Sequence, residues 1–312
     1  MRVCICAIAK HENKYINDWI RWHLSIGVDH IYIFDNNERN YPCLSFCIDK
    51  EFKDRVTILN LRHVQGVEHN PNVTAYYHFM DMYTGTCDWC AFIDIDEFIN
   101  LVHYDNIKDW LSEAPGIIDS IAITWKIFGD DGVIDGDINV PVYERIKEDV
   151  GPKLDVNSVW LRYTFKSIVR CDNRLMPFGA HSFGKPVECI GVDGVTPIDL
   201  YDSNFNLIGD SDKIMDFSID IESQSVYLNH YMTKTLGEFL RYKVNRMHRL
   251  DWPSVNDGLD YFFRINEKTD EKMEYIRSYA LFNNIENFNL YVPDTVDKNF
   301  VDYVDSIVPG NS

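Results

Sequence analysis

The sequence predicts an α/β protein: a mainly parallel sheet flanked by helices, with an elaborated second half that ends in helices. Three observations carry this. Short apolar runs alternate with helical patterns over residues 1–100, which implies βαβ units. Polar clusters close three of those runs, at 10–13, 35–37 and 94–97, and ligands of parallel sheets bind beyond the carboxyl ends of strands. The last cluster is an Asp-x-Asp, a pair of hard oxygen donors of the kind that Mg²⁺ and Mn²⁺ share with phosphates.

Residues 2–9 read as the first strand, ending in the polar loop Lys10-His11-Glu12-Asn13. Over 14–26, Tyr15, Ile16, Trp19, Ile20, Trp22, His23 and Ile26 fall at helical spacing, and Gly27 follows as the C′ residue. A second strand over 30–34 closes at Asp35-Asn36-Asn37; a weaker helix covers 43–53 and a third strand 55–61. Asn70 caps, and Pro71 opens, a helix over 71–85. The apolar run 89–99 is a buried strand that breaks into a loop at the Asp-x-Asp. Further strands are expected at 121–128, 140–145, 160–170 and 187–192, with an Asp/Gly-rich loop over 129–137. A helix over 235–249 sets Leu236, Phe239, Leu240, Val244 and Met247 on one stripe despite Gly237, and 257–282 adds one or two more. No linker interrupts the chain, so a single domain is expected.

A net charge of −19 argues against a general grip on nucleic acid. The exception is a basic island of Lys234, Arg241, Lys243, Arg246, His248 and Arg249, opposed only by Glu238. It faces either an anionic partner, such as a diphosphate or a phospholipid surface, or the chain's own acidic residues. The apolar stretch 3–9 is too short for a signal core or a membrane span, and no later run reaches membrane length. A soluble, cytoplasmic protein is therefore expected, with peripheral contact at the inner face of the membrane through 234–249 as an option. Several of the eight cysteines lie in apolar runs, where a thiol acts as a small hydrophobe, and no disulfides are expected. Cys87-Asp-Trp-Cys90 has zinc or redox spacing, but no second Cys/His pair stands near it.

Several segments add a resemblance. They run in order from Ala7-Ile-Ala-Lys10-His-Glu12-Asn13, through Trp19 and His23, to Gly27-Val-Asp-His-Ile-Tyr-Ile-Phe-Asp35-Asn36. Asp88-Trp89 and Phe92-Ile-Asp94-Ile-Asp96-Glu97-Phe98 follow, then Trp125, Phe128-Gly129 and Glu144-Arg145. Lys166-Ser-Ile-Val-Arg170, His181-Ser182 and His230-Tyr-Met-Thr-Lys234-Thr complete the set. Over residues 2–249 the chain thus resembles the GT-A glycosyltransferases, in particular the family-2-like and family-92-like enzymes. The resemblance implies a GT-A, Rossmann-like fold, with a nucleotide-binding half over 1–100, an acceptor half over 101–234 and a helical extension over 235–312. It also implies a nucleotide-sugar donor, most often a UDP-sugar, with Mn²⁺ or Mg²⁺ as cofactor. Transfer, with inversion, would be to a glycan or lipid-linked acceptor in polysaccharide or glycoconjugate synthesis.

On that resemblance Ala7, Lys10, Glu12, Asn13, Asp35 and Asp94 are the candidate donor contacts. Lys10 would meet the diphosphate as a point charge. Asp35 would accept a hydrogen bond from the base or ribose, or else make an Asx turn. Asp94 and Asp96 would bind the metal or donor, with Asp96 the direct ligand, and Glu97 would be structural. His230 can complete a Mn²⁺ shell, and Lys234 can neutralise the leaving diphosphate. His181 is the second-choice ligand; His181-Ser-Phe-Gly184-Lys185-Pro186 is similar to a compressed His/Gly/Lys-Pro motif of some retaining transferases. Inversion needs a general base near the acceptor hydroxyl. Asp130, Asp131 and Glu188, with Asp193 beside them, are candidates among which the sequence does not choose. The Asp130-Asp131 pair departs from related sequences, which carry small or polar residues there. Two other classes stay open. A nucleotide-sugar pyrophosphorylase would want a Gly-rich, basic loop after the first strand, which Ala-Lys-His-Glu-Asn is not. A catalytically silent carbohydrate-binding protein of the same fold would not need both Asp94 and Asp96.

Overall fold

The computed structural model describes residues 1–64, 70–151, 164–171, 175–186, 195–211, 220–244 and 255–266. β1 (Val3–Ala9), β2 (His30–Asp35), β3 (Val56–Asn60) and β4 (Trp89–Phe92) lie parallel in the order β3-β2-β1-β4. β1 is covered on both faces, which is why it reads as a continuous apolar run rather than an alternation. One face is covered by α1 (Ile16–Ser25), which buries Ile16, Trp19, Ile20 and His23. The other is covered by α2 (Pro71–Tyr83) through Ala75, Tyr76, Phe79 and Met80. Both helices start and stop where their residues dictate: Asn70 accepts from the Val73 amide ahead of Pro71, and Gly27 follows α1 at φ +98°.

The chain after β4 turns at 94–96 and resumes as β5 (Glu97–Leu101). α3 (Ile107–Ser112) then leads to β6 (Ser120–Ile127), and α4 (Val142–Arg145) precedes β7 (Phe165–Arg170). β7 lies antiparallel between β4 and β6, so the second half continues the sheet of the first. β8 (Met176–Phe178), β9 (Ser182–Pro186) and β10 (Val195–Pro197) make a separate three-stranded sheet. β11 (Asp199–Tyr201) and β12 (Leu207–Asp210) extend the main sheet beyond β6. β13 (Val226–His230) then pairs antiparallel with β5 and parallel with β6. That register sets His230 opposite Glu97 and beside Ile127. α5 (Leu236–Glu238) follows, widens into a π-helical turn over Phe239–Val244, and α6 (Val255–Asn266) packs against it.

Three expected elements differ. Residues 43–53 form two 3₁₀ turns, Leu44–Phe46 and Lys50–Phe52, rather than a helix. The Asp49 amide donates to the Asn17 side chain, at 3.0 Å, and so is lost to any helical ladder. Residues 140–145 are not a strand: Pro141 at φ −52° starts the α4 turn, since a proline ring presets helical φ and has no amide for a ladder. The run 89–99 is two strands, because the Glu97 carboxylate accepts the Asp94 amide at 2.8 Å and closes a turn between them. The expected strand at 187–192, and the parts of the expected helices at 245–249 and 267–282, lie outside the described residues. The seven described cysteines are free thiols. Among the described residues no helix is long and apolar enough to cross a membrane.

Candidate functional site

The site lies at the carboxyl ends of β1, β2 and β4, where the end of β13 and the π turn close over the 94–97 turn. Its centre is two carboxylates, each held by a different lysine. Asp94 Oδ2 is 2.8 Å from Lys166 Nζ, and Lys166, the second residue of β7, is fully buried. Burial pushes the Lys166 ammonium down, but Asp94 and Glu97 outweigh it and keep it well above the ordinary lysine value. Glu97 shares that pocket with no exposure at all; burial pushes its carboxyl up to about 8, against the pull of Lys166. Its Oε2 accepts the Asp94 amide and so closes the turn.

Asp96 points the other way. Its Oδ1 is 3.5 Å from His230 Nε2, and its Oδ2 is 3.1 Å from Lys243 Nζ. Burial raises the Asp96 carboxyl, but Lys243 first, then His230 and Lys234, reverse this and hold it well below the usual carboxylate range. His230 is buried against the Trp125 ring at 4.3 Å, and burial lowers its pKa despite Asp96. Its Nδ1 has no hydrogen-bond partner among the described residues. His181 also meets Trp125, with Nδ1 2.8 Å from the Phe165 carbonyl. Burial, then Lys166, lowers its pKa.

The other expected residues separate into those that face this centre and those that build the frame. Lys234, at φ +55°, lies 4.4 Å over the Tyr15 ring and 3.7 Å from Glu12. Lys10 pairs with Glu38 at 2.9 Å. Asn13 donates to the Pro42 carbonyl and accepts from Asn37, at 3.1 and 2.9 Å, so its amide braces the loop after β2. Asp35 is buried: Oδ1 accepts from the Asn37 amide and Oδ2 from the Leu44 amide, both at 3.0 Å, an Asx turn that fixes the same loop. Ala7 is a core residue of β1, paired with Ile33. Asp131 accepts the Lys147 and Glu148 amides on its two oxygens, at 2.7 and 2.8 Å, and Asp130 accepts the Gly132 amide at 3.0 Å. Glu188 and Asp193 lie outside the described residues. Of the basic island, Lys243 meets Asp96, Lys234 meets Glu12, and Arg241 meets Asp135 at 2.9 Å. Arg246, His248 and Arg249 lie outside the described residues.

Reading the sequence for site residues passed over Lys166 and Lys243. The signal for Lys166 was present: a charge in an otherwise apolar strand, which must find a partner when buried. Lys243 was visible only as one cation of the basic island.

Among the described residues no three His, Cys, Asp or Glu side chains converge as metal ligands. Asp96 and His230 supply two donors, one oxygen and one imidazole nitrogen. This suits Mn²⁺ better than Mg²⁺, which prefers oxygen alone; either fills most of its shell from phosphate and water. The orphaned Nδ1 of His230 adds to the fit, because a buried polar atom without a partner calls for a ligand to satisfy it.

A mainly parallel sheet flanked by helices, with acidic and cationic side chains gathered beyond its strand ends, defines the class: a Rossmann-like α/β protein. Relatives sharpen this. A glycosyltransferase family 92 protein of Ricinus communis is 27% identical over 140 residues, 42% of this chain and 23% of that protein. Family 92 proteins of Oryza sativa subsp. japonica and Arabidopsis thaliana are each 22% identical, over 114 and 101 residues, which is 35% and 31% of this chain. The chain spans less than a quarter of the length of these curated relatives, from 16% to 23%. No protein-family model matches the chain. These distant homologues support a glycosyltransferase family.

Proposed function

We propose that this chain is a metal-dependent glycosyltransferase that moves a sugar from a nucleotide-sugar, a UDP-sugar first, to a glycan or lipid-linked acceptor, with inversion. The observation that carries the reading is Asp96 with His230 and Lys243, beside Asp94 with the buried Lys166, in a chain whose distant relatives bear the glycosyltransferase name. In this reading Asp96 and His230 hold the cation, and the cation, when bound, supplies charge stabilisation to the departing diphosphate. Lys234 adds a second positive charge on the same side. Lys166 fixes Asp94 so that its remaining oxygen faces the donor, and Glu97 keeps the turn closed through the Asp94 amide. Asp131 already binds two backbone amides, so Asp130, Glu188 and Asp193 are left as general-base candidates.

The test is calorimetric titration of UDP in Mn²⁺ and then in EDTA, on the wild type and on Asp96→Ala. Micromolar binding that needs both the cation and Asp96 supports the reading and justifies a screen of UDP-sugars. UDP binding that ignores both refutes the metal role. Failure of UDP, GDP and dTDP alike refutes a nucleotide donor and favours a carbohydrate-binding protein of the same fold.

A further inference from the structure

Lys243 occupies a position that the proposed function leaves unexplained. The chain reaches it through a well-formed helix start: the Thr235 side chain accepts the Glu238 amide, and Glu238 in turn accepts from the Thr235 amide and from Arg145 at 2.7 Å. One turn later the α-helix gives way to the π turn over Phe239–Val244. Such turns are uncommon and cost helical regularity. Here the wider turn brings Lys243 back over β13, where its Nζ meets the Met232 carbonyl at 2.5 Å and Asp96 Oδ2 at 3.1 Å. The ammonium thus sits on the carboxylate that also faces His230, on its second oxygen.

The two lysines of the site differ in one respect that matters. Lys166 has 2% of its side chain exposed and is walled in by β4 and β6. Lys243 has 14% exposed and stands at the open edge, on a flexible four-carbon stem. An Asp96 neutralised by an ammonium on one oxygen binds a dication less well than a bare carboxylate, since like charges compete for it. Expelled by the dication, the same ammonium takes as its anionic partner the diphosphate that arrives with it.

We infer that Lys243 exchanges with the divalent cation: its ammonium neutralises Asp96 in the empty site, leaves when the cation binds, and passes to the donor diphosphate. The inference rests on the Asp96–His230 cation site proposed above. It gives the π turn a purpose, and it makes cation and nucleotide entry mutually dependent: the cation alone must break an ion pair, whereas cation and diphosphate together return the lysine a partner.

The experiment measures Mn²⁺ binding from the signal of the free ion in electron paramagnetic resonance. It then measures UDP binding in saturating Mn²⁺, for the wild type, Lys243→Met, Lys243→Gln, Lys243→Arg and Asp96→Asn. Removing the cation is expected to tighten Mn²⁺ without nucleotide by about tenfold, an ion pair of roughly 1.4 kcal/mol, and to weaken UDP by a similar factor. Lys243→Arg keeps the charge and should restore both values toward the wild type. Opposite shifts are the signature, because a residue that only supports the fold lowers both affinities together. A thermal melt of each variant separates loss of fold from loss of binding, and Lys243→Gln stands in if Lys243→Met does not fold. Equal Mn²⁺ affinity in wild type and Lys243→Gln, or a fall in both affinities, overturns the exchange, while Mn²⁺ binding lost in Asp96→Asn leaves the cation site standing. If no variant binds Mn²⁺ through Asp96, even with UDP, the site reading itself fails and takes the exchange with it.

Discussion

His23 shows how tightly a single residue can be specified. Its Nδ1 lies 2.8 Å from the Trp19 carbonyl, and its Nε2 lies 3.2 Å from the Ile99 amide. One nitrogen must donate and the other accept, so this pair of bonds admits only the neutral ring with its proton on Nδ1. Complete burial lowers its pKa to about 3, from an ordinary value of 6.5. Between those values the unfolded chain takes up a proton that the folded chain refuses. Stability is therefore present above pH 6.5 and is lost as pH falls toward 3, at a limiting slope of about 1.4 kcal/mol per pH unit. Urea unfolding of the wild type and His23→Gln at intervals from pH 7 to pH 4 checks this. The variant is expected to be weaker at pH 7 but to decline less steeply below pH 6.5, and parallel declines would assign the acid sensitivity elsewhere. At this scale the sequence was half legible. It offered His23 on an apolar stripe and Asp94 and Asp96 at a strand end. The lysines those carboxylates meet lie 72 and 147 residues further along the chain, where no local pattern links them.

At the scale of elements, legibility followed the strength of the local signal. β1, β2, α1 and α2 have long apolar patterns and marked ends, and the structure places them within two or three residues of expectation. β13 was not anticipated: five residues ending in Leu228-Asn229-His230 carry no period of their own, and the strand exists because β5 and β6 offer it two edges. The segment 181–186 is instructive for the opposite reason. Its His/Gly/Lys-Pro spacing suggested a transferase motif, but Gly184 has a plain packing reason. A Cβ there would stand 2.5 Å from the Thr196 carbonyl oxygen and 2.5 Å from Val195 Cγ1, so β9 and β10 can pair this closely only around a glycine. A carbonyl of a paired strand cannot swing aside as a side chain can. Gly184→Ala is expected to cost about 1–3 kcal/mol, the usual penalty of overpacking. Gly116, with nothing within 4 Å of its added Cβ, is the control, and alanine there should be neutral or slightly stabilising. Thermal denaturation of the two variants distinguishes them, and equal melting temperatures would mean that β10 yields freely.

For the whole molecule, the sheet decides what can stand alone. The sequence suggested a nucleotide-binding half ending near residue 100, and the order β3-β2-β1-β4 has the form of such a half. Yet β4 has β1 on one edge and β7 on the other, and β5 has β13 as its partner. The main core joins Val3 and Trp89 to Ile121, Ile168, Val226 and Ile265, so residues from both halves exclude water from one another. A piece comprising residues 1–104 would keep Asp94 and Asp96 but expose the inner edge of β4 and leave β5 unpaired, the kind of open strand that invites association. It would also lose Lys166, His230 and Lys243, so each carboxylate would face its neighbour with no cation between. This piece is therefore expected to show no cooperative thermal transition and no Mn²⁺-dependent UDP binding. Adding the purified remainder, 105–312, is expected to restore a transition if the two associate through β4–β7 and β5–β13. Circular dichroism melts of the piece, the remainder and their mixture test this. A sharp transition in residues 1–104 alone would show that β1–β4 is a self-sufficient unit, and the long-range pairs would then serve the site rather than the fold.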